Sequence, residues 1–260
     1  MVSPLTHPDH TPGNTGTPDT PGTFRPDDIR LVVLDMAGTT VADDGLVERA
    51  FDAAARHMGV EPGSPAHAEQ LAYVRATMGE SKISVFRHLF AAPDGDPHAT
   101  EQAARRANRA FEAAYGDLVD DGRIAPVPGA RAAIEALQAA GRTVVLTTGF
   151  ARVTQDALLD ALGWRDLVRL TLCPADAGGR GRPYPDMVLA ALLRTGAADD
   201  VAQIAVAGDT SYDMIAGRRS GASVVAGVRT GAHDAAQLSA AGATHVLGSV
   251  AELPALLGVV

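Results

Sequence analysis

A series of short apolar runs, each closing on a small, acidic or hydroxyl residue, constrains this chain most. The runs are 29–34, 143–146, 168–172, 203–207, 223–228 and 244–247. Near-continuous apolar runs of this length suit strands covered on both faces. Helical stretches at 130–140, 153–162, 185–194 and 212–220 lie between them. Strand and helix in alternation predict an α/β fold, a doubly wound parallel sheet of Rossmann-like type. In such sheets ligands bind at the carboxyl ends of the strands.

One interval breaks the alternation. From Asp35 to Thr148 is 113 positions, far beyond an ordinary crossover. The stretch reads as helices at 46–58, 65–78, 83–90 and 100–119, flanked by Gly, Pro and Asp clusters at 43–45 and 120–128. That pattern predicts paired hinges around an inserted α-helical cap, residues 44–125, with the core built from 28–43 and 126–260. Residues 1–27 carry Pro, Thr, Gly, Asp and His with almost nothing apolar. Such a segment buries too little surface to offset its ordering entropy, so a disordered tail is expected.

Composition removes several functions. The 22 Lys and Arg against 31 Asp and Glu give a net charge of −9, which argues against nucleic acid as a partner. A small phosphorylated substrate needs only one or two local cations and stays open. Cys173 is the single cysteine, so neither an intrachain disulfide nor a cysteine metal cage can form. No apolar run approaches the roughly 20 residues of a membrane helix, and no apolar stretch marks the N-terminus as a secretory signal. A cytoplasmic protein without membrane contact is expected.

The strand ends carry the chemistry. Asp35 follows one apolar run, Thr147-Thr148-Gly149 another, and Asp209 a third, with Asp213 four residues on. Arg182 sits in the Gly/Pro-rich loop 178–183. In a parallel sheet these gather at one edge. Carboxylates, a hydroxyl and a guanidinium around one point suit phosphoryl transfer: hard oxygen ligands for Mg²⁺, a carboxylate nucleophile and cations for the transferring group. The bland alternative is that each Asp merely caps the following helix.

Four segments, Asp35-Met36-Ala37-Gly38-Thr39-Thr40, Leu146-Thr147-Thr148-Gly149, Gly181-Arg182-Pro183-Tyr184-Pro185 and Gly208-Asp209-Thr210-Ser211-Tyr212-Asp213-Met214, resemble the four motifs of the haloacid dehalogenase superfamily. The resemblance spans roughly 29–250, and within the superfamily it is nearest to the phosphonatase branch. It implies Asp35 as nucleophile, Thr148 and Arg182 on the phosphoryl oxygens, and Asp35, the Ala37 carbonyl, Asp209 and Asp213 around Mg²⁺. Gly38, Thr39, Met78 and Gly149 fall at substrate-binding positions. Thr147 is the fallback for Thr148 if the strand register is off by one. Members of the family are often dimeric through cap helices, so a homodimer through the cap is an expectation.

Ala37 stands where most phosphatases of the superfamily carry a second Asp, the acid that protonates a departing alkoxide. Phosphonatases break a carbon–phosphorus bond instead, with a cap lysine forming a Schiff base as electron sink. Met78-Gly79-Glu80-Ser81-Lys82 resembles the segment bearing that lysine. Met78 and Val85 would wall Lys82 if one helix ran through this turn. Lys82 can also be read as a solvated lysine or a phosphate anchor. Val85 and Phe150 replace a His and a Tyr of phosphonatases proper, which points to the phosphonatase-like subgroup. The resemblance thus implies a hydrolase of phosphonoacetaldehyde or a close 2-oxoalkylphosphonate. The alternatives are a phosphomonoesterase acting on a small phosphorylated metabolite and a catalytically weak binding protein that keeps the fold.

Overall fold

The computed structural model describes residues 25–259. Most of the segment expected as a tail, residues 1–24, lies outside them; Pro26–Asp28 form one 3-10 turn leading into the sheet.

Six strands form one parallel sheet: β1 (Leu31–Asp35), β2 (Thr143–Thr147), β3 (Leu170–Leu172), β4 (Ile204–Gly208), β5 (Val224–Val228) and β6 (His245–Leu247), in the order β3-β2-β1-β4-β5-β6. Alternate residues feed two separate apolar layers. Leu31, Val33, Val145 and Val206 face one layer, while Val32, Leu34, Val144 and Ala205 face the other. Both faces are covered, which is why the strands read as continuous apolar runs. The core helices are α5 (Ala130–Ala139), α6 (Arg152–Ala161), α7 (Asp186–Thr195), α8 (Ser211–Ser220), α9 (Ala235–Ala240) and α10 (Leu253–Leu256). The strand order reverses direction between β1 and β4, the crevice where such sheets hold ligands, and Asp35 and Asp209 stand at its two sides.

Four helices lie between β1 and α5: α1 (Leu46–His57), α2 (Pro65–Ala76), α3 (Lys82–Leu89) and α4 (Pro97–Asp120). Chain entry and exit run side by side, with the Ala42 N–H on the Ala125 carbonyl (2.9 Å) and the Val127 N–H on the Thr40 carbonyl (3.0 Å). Ala104, Ala107, Phe111, Tyr115 and Val119 recur at helical spacing on α4 and are all buried, so α4 presents one apolar stripe. Phe51 of α1 packs on Phe86 of α3 and on Phe111, at 4.9 Å each. Phe150 reaches this cluster from the core, 6.0 Å from Phe111 and 4.8 Å from Tyr115.

One helix expectation fails in a way that matters. The helix expected over 65–78 ends at Ala76, and α3 starts at Lys82. Gly79 sits between them at φ +94, a left-handed turn that no helix continues through. Met78 and Lys82 therefore do not share a helix.

Candidate active site at the carboxyl edge of the sheet

Arg182 organises the centre. Its Nη2 lies 2.6 Å from Asp35 Oδ1 and its Nε lies 2.7 Å from Asp213 Oδ1. The same Nη2 donates to Thr147 Oγ1 at 2.7 Å. All of these side chains are buried. One forked cation thus ties β1, β2 and the start of α8 together, a task suited to a planar guanidinium.

Thr147 is committed, since its hydroxyl also donates to the Leu34 carbonyl (3.3 Å). The next residue is the available one: Thr148 Oγ1 accepts the Phe150 N–H at 3.2 Å, which leaves its proton for a ligand in the cavity it lines.

The capping alternative separates the three carboxylates. Thr210, not Asp209, is the N-cap of α8, and Asp213 closes that capping box through Oδ2. Asp213 is therefore structural on one oxygen and paired with Arg182 on the other. Asp209 accepts from the Thr39 hydroxyl (3.1 Å) and from the Ala232 N–H (2.8 Å). The Gly38 N–H goes to the Val41 carbonyl (2.7 Å), and its own carbonyl accepts from Thr230. Gly38 and Thr39, placed by sequence at substrate positions, thus shape the turn around Asp209, and Gly38 also lines the cavity. A methyl at Gly38, where φ is +83, would overlap the Asp209 carboxylate. The loop Thr230-Gly231-Ala232 escaped the sequence reading, because neutral loop residues acting through backbone groups carry no charge signal.

Oxygens of Asp35, Asp209 and Asp213 lie within 4.8 Å of one another. Burial pushes the Asp35 carboxyl up to about 7, against the pull of Arg182 and with Asp213 adding to the push. Burial, and then the charges of Asp35 and Asp213, hold Asp209 well above the usual carboxylate range.

Lys82 enters from the insert. It is 6% exposed, with Nζ 5.7 Å from the Phe51 ring centre and 5.5 Å from that of Phe150. These rings form an apolar wall for it, and Met78 lines the same cavity from the turn before α3. Burial lowers its ammonium to about 8, with Asp43 and then Asp35 pulling it back up. The turn bearing Lys82 presses on the core. The Lys82 N–H points at the Gly149 carbonyl (3.4 Å). A methyl on Gly149 would stand 3.0 Å from the Glu80 carbonyl, and one on Gly181 would stand 2.8 Å from Ser81 Cβ. A cavity of about 410 Å³ joins the two parts, lined among others by Asp35, Ala37, Asp43, Met78, Lys82 and Arg182.

Comparison with known proteins agrees with this arrangement. The family model for haloacid dehalogenase-like hydrolases matches residues 29–221. The chain belongs to that family. A protein of Dickeya dadantii named Probable phosphatase IndB is 29% identical over 224 residues, covering 86% of this chain and 91% of that one. A phosphonoacetaldehyde hydrolase of Bacteroides fragilis is 30% identical over 273 residues, covering 88% and 95%. A solved hydrolase from Pseudomonas syringae shares the fold with a TM-score of 0.75 at 24% identity, covering 88% and 98%.

Haloacid dehalogenase-like hydrolases generally use a divalent metal, and the donor set here fits one. Three clustered, buried carboxylates are balanced in part by Arg182 and Lys82, and two of the three are pushed toward protonation, a load that a hard dication relieves. Asp35, Asp209 and Asp213 are the three carboxylates within reach of one such ion. Among the described residues, no helix is long and apolar enough to cross a membrane.

Proposed function

We propose that this protein is a Mg²⁺-dependent hydrolase that cleaves the carbon–phosphorus bond of phosphonoacetaldehyde or a close 2-oxoalkylphosphonate. The observation that carries the reading is Lys82, buried with lowered basicity in the same cavity as Asp35, while Ala37 offers no acid for an alkoxide leaving group. The phosphonoacetaldehyde hydrolase among the relatives supports it.

In this reading the Lys82 amine condenses with the aldehyde, releasing water and leaving an iminium. Asp35 then attacks phosphorus. The carbon–phosphorus bond breaks, and its electrons move into the iminium to give an enamine, while the phosphoryl group becomes an aspartyl phosphate. Water hydrolyses the acyl phosphate to phosphate, and the enamine takes a proton and is hydrolysed to acetaldehyde, freeing Lys82. Thr148 and Arg182 hold the phosphoryl oxygens, and Arg182 also fixes Asp35 for in-line approach. Mg²⁺, held by Asp35, Asp209 and the Ala37 carbonyl with Asp213 beside them, would neutralise developing charge on phosphorus. The aromatic walls exclude water from the imine.

A phosphomonoesterase would use Asp35, Thr148 and Arg182 alike and make Lys82 an anchor. Asp43, which draws Lys82 toward its charged form, favours that reading, as does the relative named a phosphatase. Product analysis of wild type and Lys82→Arg separates the two. The phosphonatase reading expects acetaldehyde and phosphate in equal amounts from phosphonoacetaldehyde, and loss of both in Lys82→Arg. A Lys82→Arg enzyme still releasing acetaldehyde near the wild-type rate overturns it.

A further inference from the structure

A second cavity, of about 290 Å³, lies beside the catalytic one, and Lys82, Gly149 and Phe150 line both. Two helices begin at its wall. Ser81 and Ala151, the residues preceding α3 and α6, line it, and neither helix start has a side-chain cap. A helix start leaves N–H groups without intrahelical partners, and alanine is among the poorest residues at the capping place. In α3 the Lys82 N–H points at the Gly149 carbonyl (3.4 Å), while the Ile83 N–H has no backbone partner among the described residues. Ser81 is 5% exposed, and its hydroxyl makes no hydrogen bond among the described residues. A buried hydroxyl left without a partner is costly unless something fills the cavity it faces.

Positive charge gathers at the same cavity, against the trend of a chain whose net charge is −9. Arg87 of α3 and Arg105 of α4 line it and both grip Glu101 through Nε, at 2.7 Å each. One carboxylate thus serves two guanidinium groups. Nη1 of Arg87 and both Nη atoms of Arg105 are left without partners among the described residues. Arg152, the first residue of α6, donates from Nη1 to the Thr171 hydroxyl (3.0 Å) and shares Asp176 with Arg194. Exposed arginines alone would be an ordinary solvated patch. Here they stand beside an enclosed hydroxyl and two uncapped helix starts, and the acceptor common to all these donors is an anion.

We propose that this second cavity binds a small tetrahedral dianion, inorganic phosphate or a phosphonate head group, separately from the phosphoryl centre at Asp35. Ser81 Oγ, the Ile83 N–H and the Arg105 guanidinium hold it, and the positive ends of α3 and α6 add to the attraction. No bond is made or broken there. Phosphate leaves the enzyme in both readings of the reaction given above, so binding at this cavity does not depend on an imine.

The experiment titrates inorganic phosphate and, separately, ethylphosphonate into the chelator-treated protein by calorimetry, with thermal unfolding in parallel. Without Mg²⁺ the phosphoryl centre presents Asp35, Asp209 and Asp213, and its Arg182 is already paired, so it repels a dianion. Wild type should bind one equivalent with a Kd of about 1 mM or tighter, and its Tm should rise with ligand. Arg105→Gln and Ser81→Ala should each weaken binding about tenfold. Both should fold, since the Arg105 side chain is exposed and the Ser81 hydroxyl has no partner to lose. Arg131→Gln, which removes an exposed charge on α5, and Thr148→Ala, at the phosphoryl centre, should bind as wild type does. Tighter binding of ethylphosphonate identifies a phosphonate-bearing occupant and tighter binding of phosphate the free ion; either upholds the site. No binding by wild type, wild-type affinity in both Arg105→Gln and Ser81→Ala, loss in Thr148→Ala, or an equal loss in Arg131→Gln overturns it.

Discussion

At the scale of single residues, the site sets one buried cation against another. Arg182 keeps its charge and spends it on Asp35, Asp213 and Thr147 at once, whereas Lys82 is pushed toward neutrality between two rings. Arg182→Lys keeps one charge but cannot reach three partners, and kcat should fall about 100-fold through misplacement of Asp35. Unchanged kcat in steady-state assays would contradict the role. For Lys82 the lowered value fixes the sign of the pH effect. Its amine is mostly protonated below about 8 and mostly free above it, so the initial rate of borohydride trapping should climb with pH and level off above that value. An inflection near the ordinary lysine value would mean that burial does not act on Lys82. The stability effect has the matching direction. The folded-state value is depressed, so burying this ammonium costs stability in full below about 8, and the cost fades as pH rises toward the unfolded value. Asp35 and Arg182 were legible in the sequence because a charged residue beside an apolar run or inside a Gly/Pro loop stands out, whereas Lys82 stood out only through the resemblance of residues 78–82 to the phosphonatase segment. Asp43, which lines the same cavity, was not legible, since it reads as a hinge acid.

At the scale of elements, the turn between α2 and α3 does the positioning. A methyl at Gly79 would overlap Thr210 Oγ1, the cap of α8, and φ there is +94. Gly79→Ala should therefore destabilise by about 1–2 kcal/mol from the left-handed strain alone, with more from the overlap, measurable as a lower urea midpoint. Gly149→Ala tests the same interface more gently. Its new methyl meets the Glu80 carbonyl at 3.0 Å, so KM should rise while the unfolding midpoint moves little. Unaltered kinetics in Gly149→Ala would show that this contact is not needed for substrate binding. Periodicity located α1 to α4 but could not end α2 correctly, because Met78 continues the apolar spacing and only the backbone of Gly79 breaks it. The α4 start at Pro97 was also passed over, although Asp96 caps it through the His98 N–H (2.8 Å). The short α9 and α10 are too brief to show a period.

At the scale of the whole molecule, the topology concentrates charge. The reversal of strand order between β1 and β4 brings Asp35 and Asp209 to one crevice, and the capping box of α8 adds Asp213. The parallel sheet was legible because six apolar runs alternate with helices, whereas the order of its strands is seen only in the structure. The mutual approach of the insert and the core was not, because it rests on glycines far apart in the chain. Three buried acids should leave the metal-free protein below its attainable stability. Mg²⁺ at 100 times its dissociation constant should add about 2.7 kcal/mol, seen as a rise in Tm over the chelator-treated sample. Asp209→Asn should raise the metal-free Tm and abolish the rise on adding Mg²⁺. An Asp209→Asn protein that still gains stability from Mg²⁺ would remove Asp209 from the metal set.

The central claim joins these scales, since it requires a lysine of the insert to meet substrate held over a nucleophile of the core. Borohydride reduction in the presence of phosphonoacetaldehyde, followed by peptide mass mapping, tests it most directly. The account predicts irreversible inactivation, with a two-carbon adduct or its phosphonate precursor on the peptide containing Lys82, the single lysine of the sequence. Full activity after reduction, with the Lys82 peptide unmodified, would contradict it.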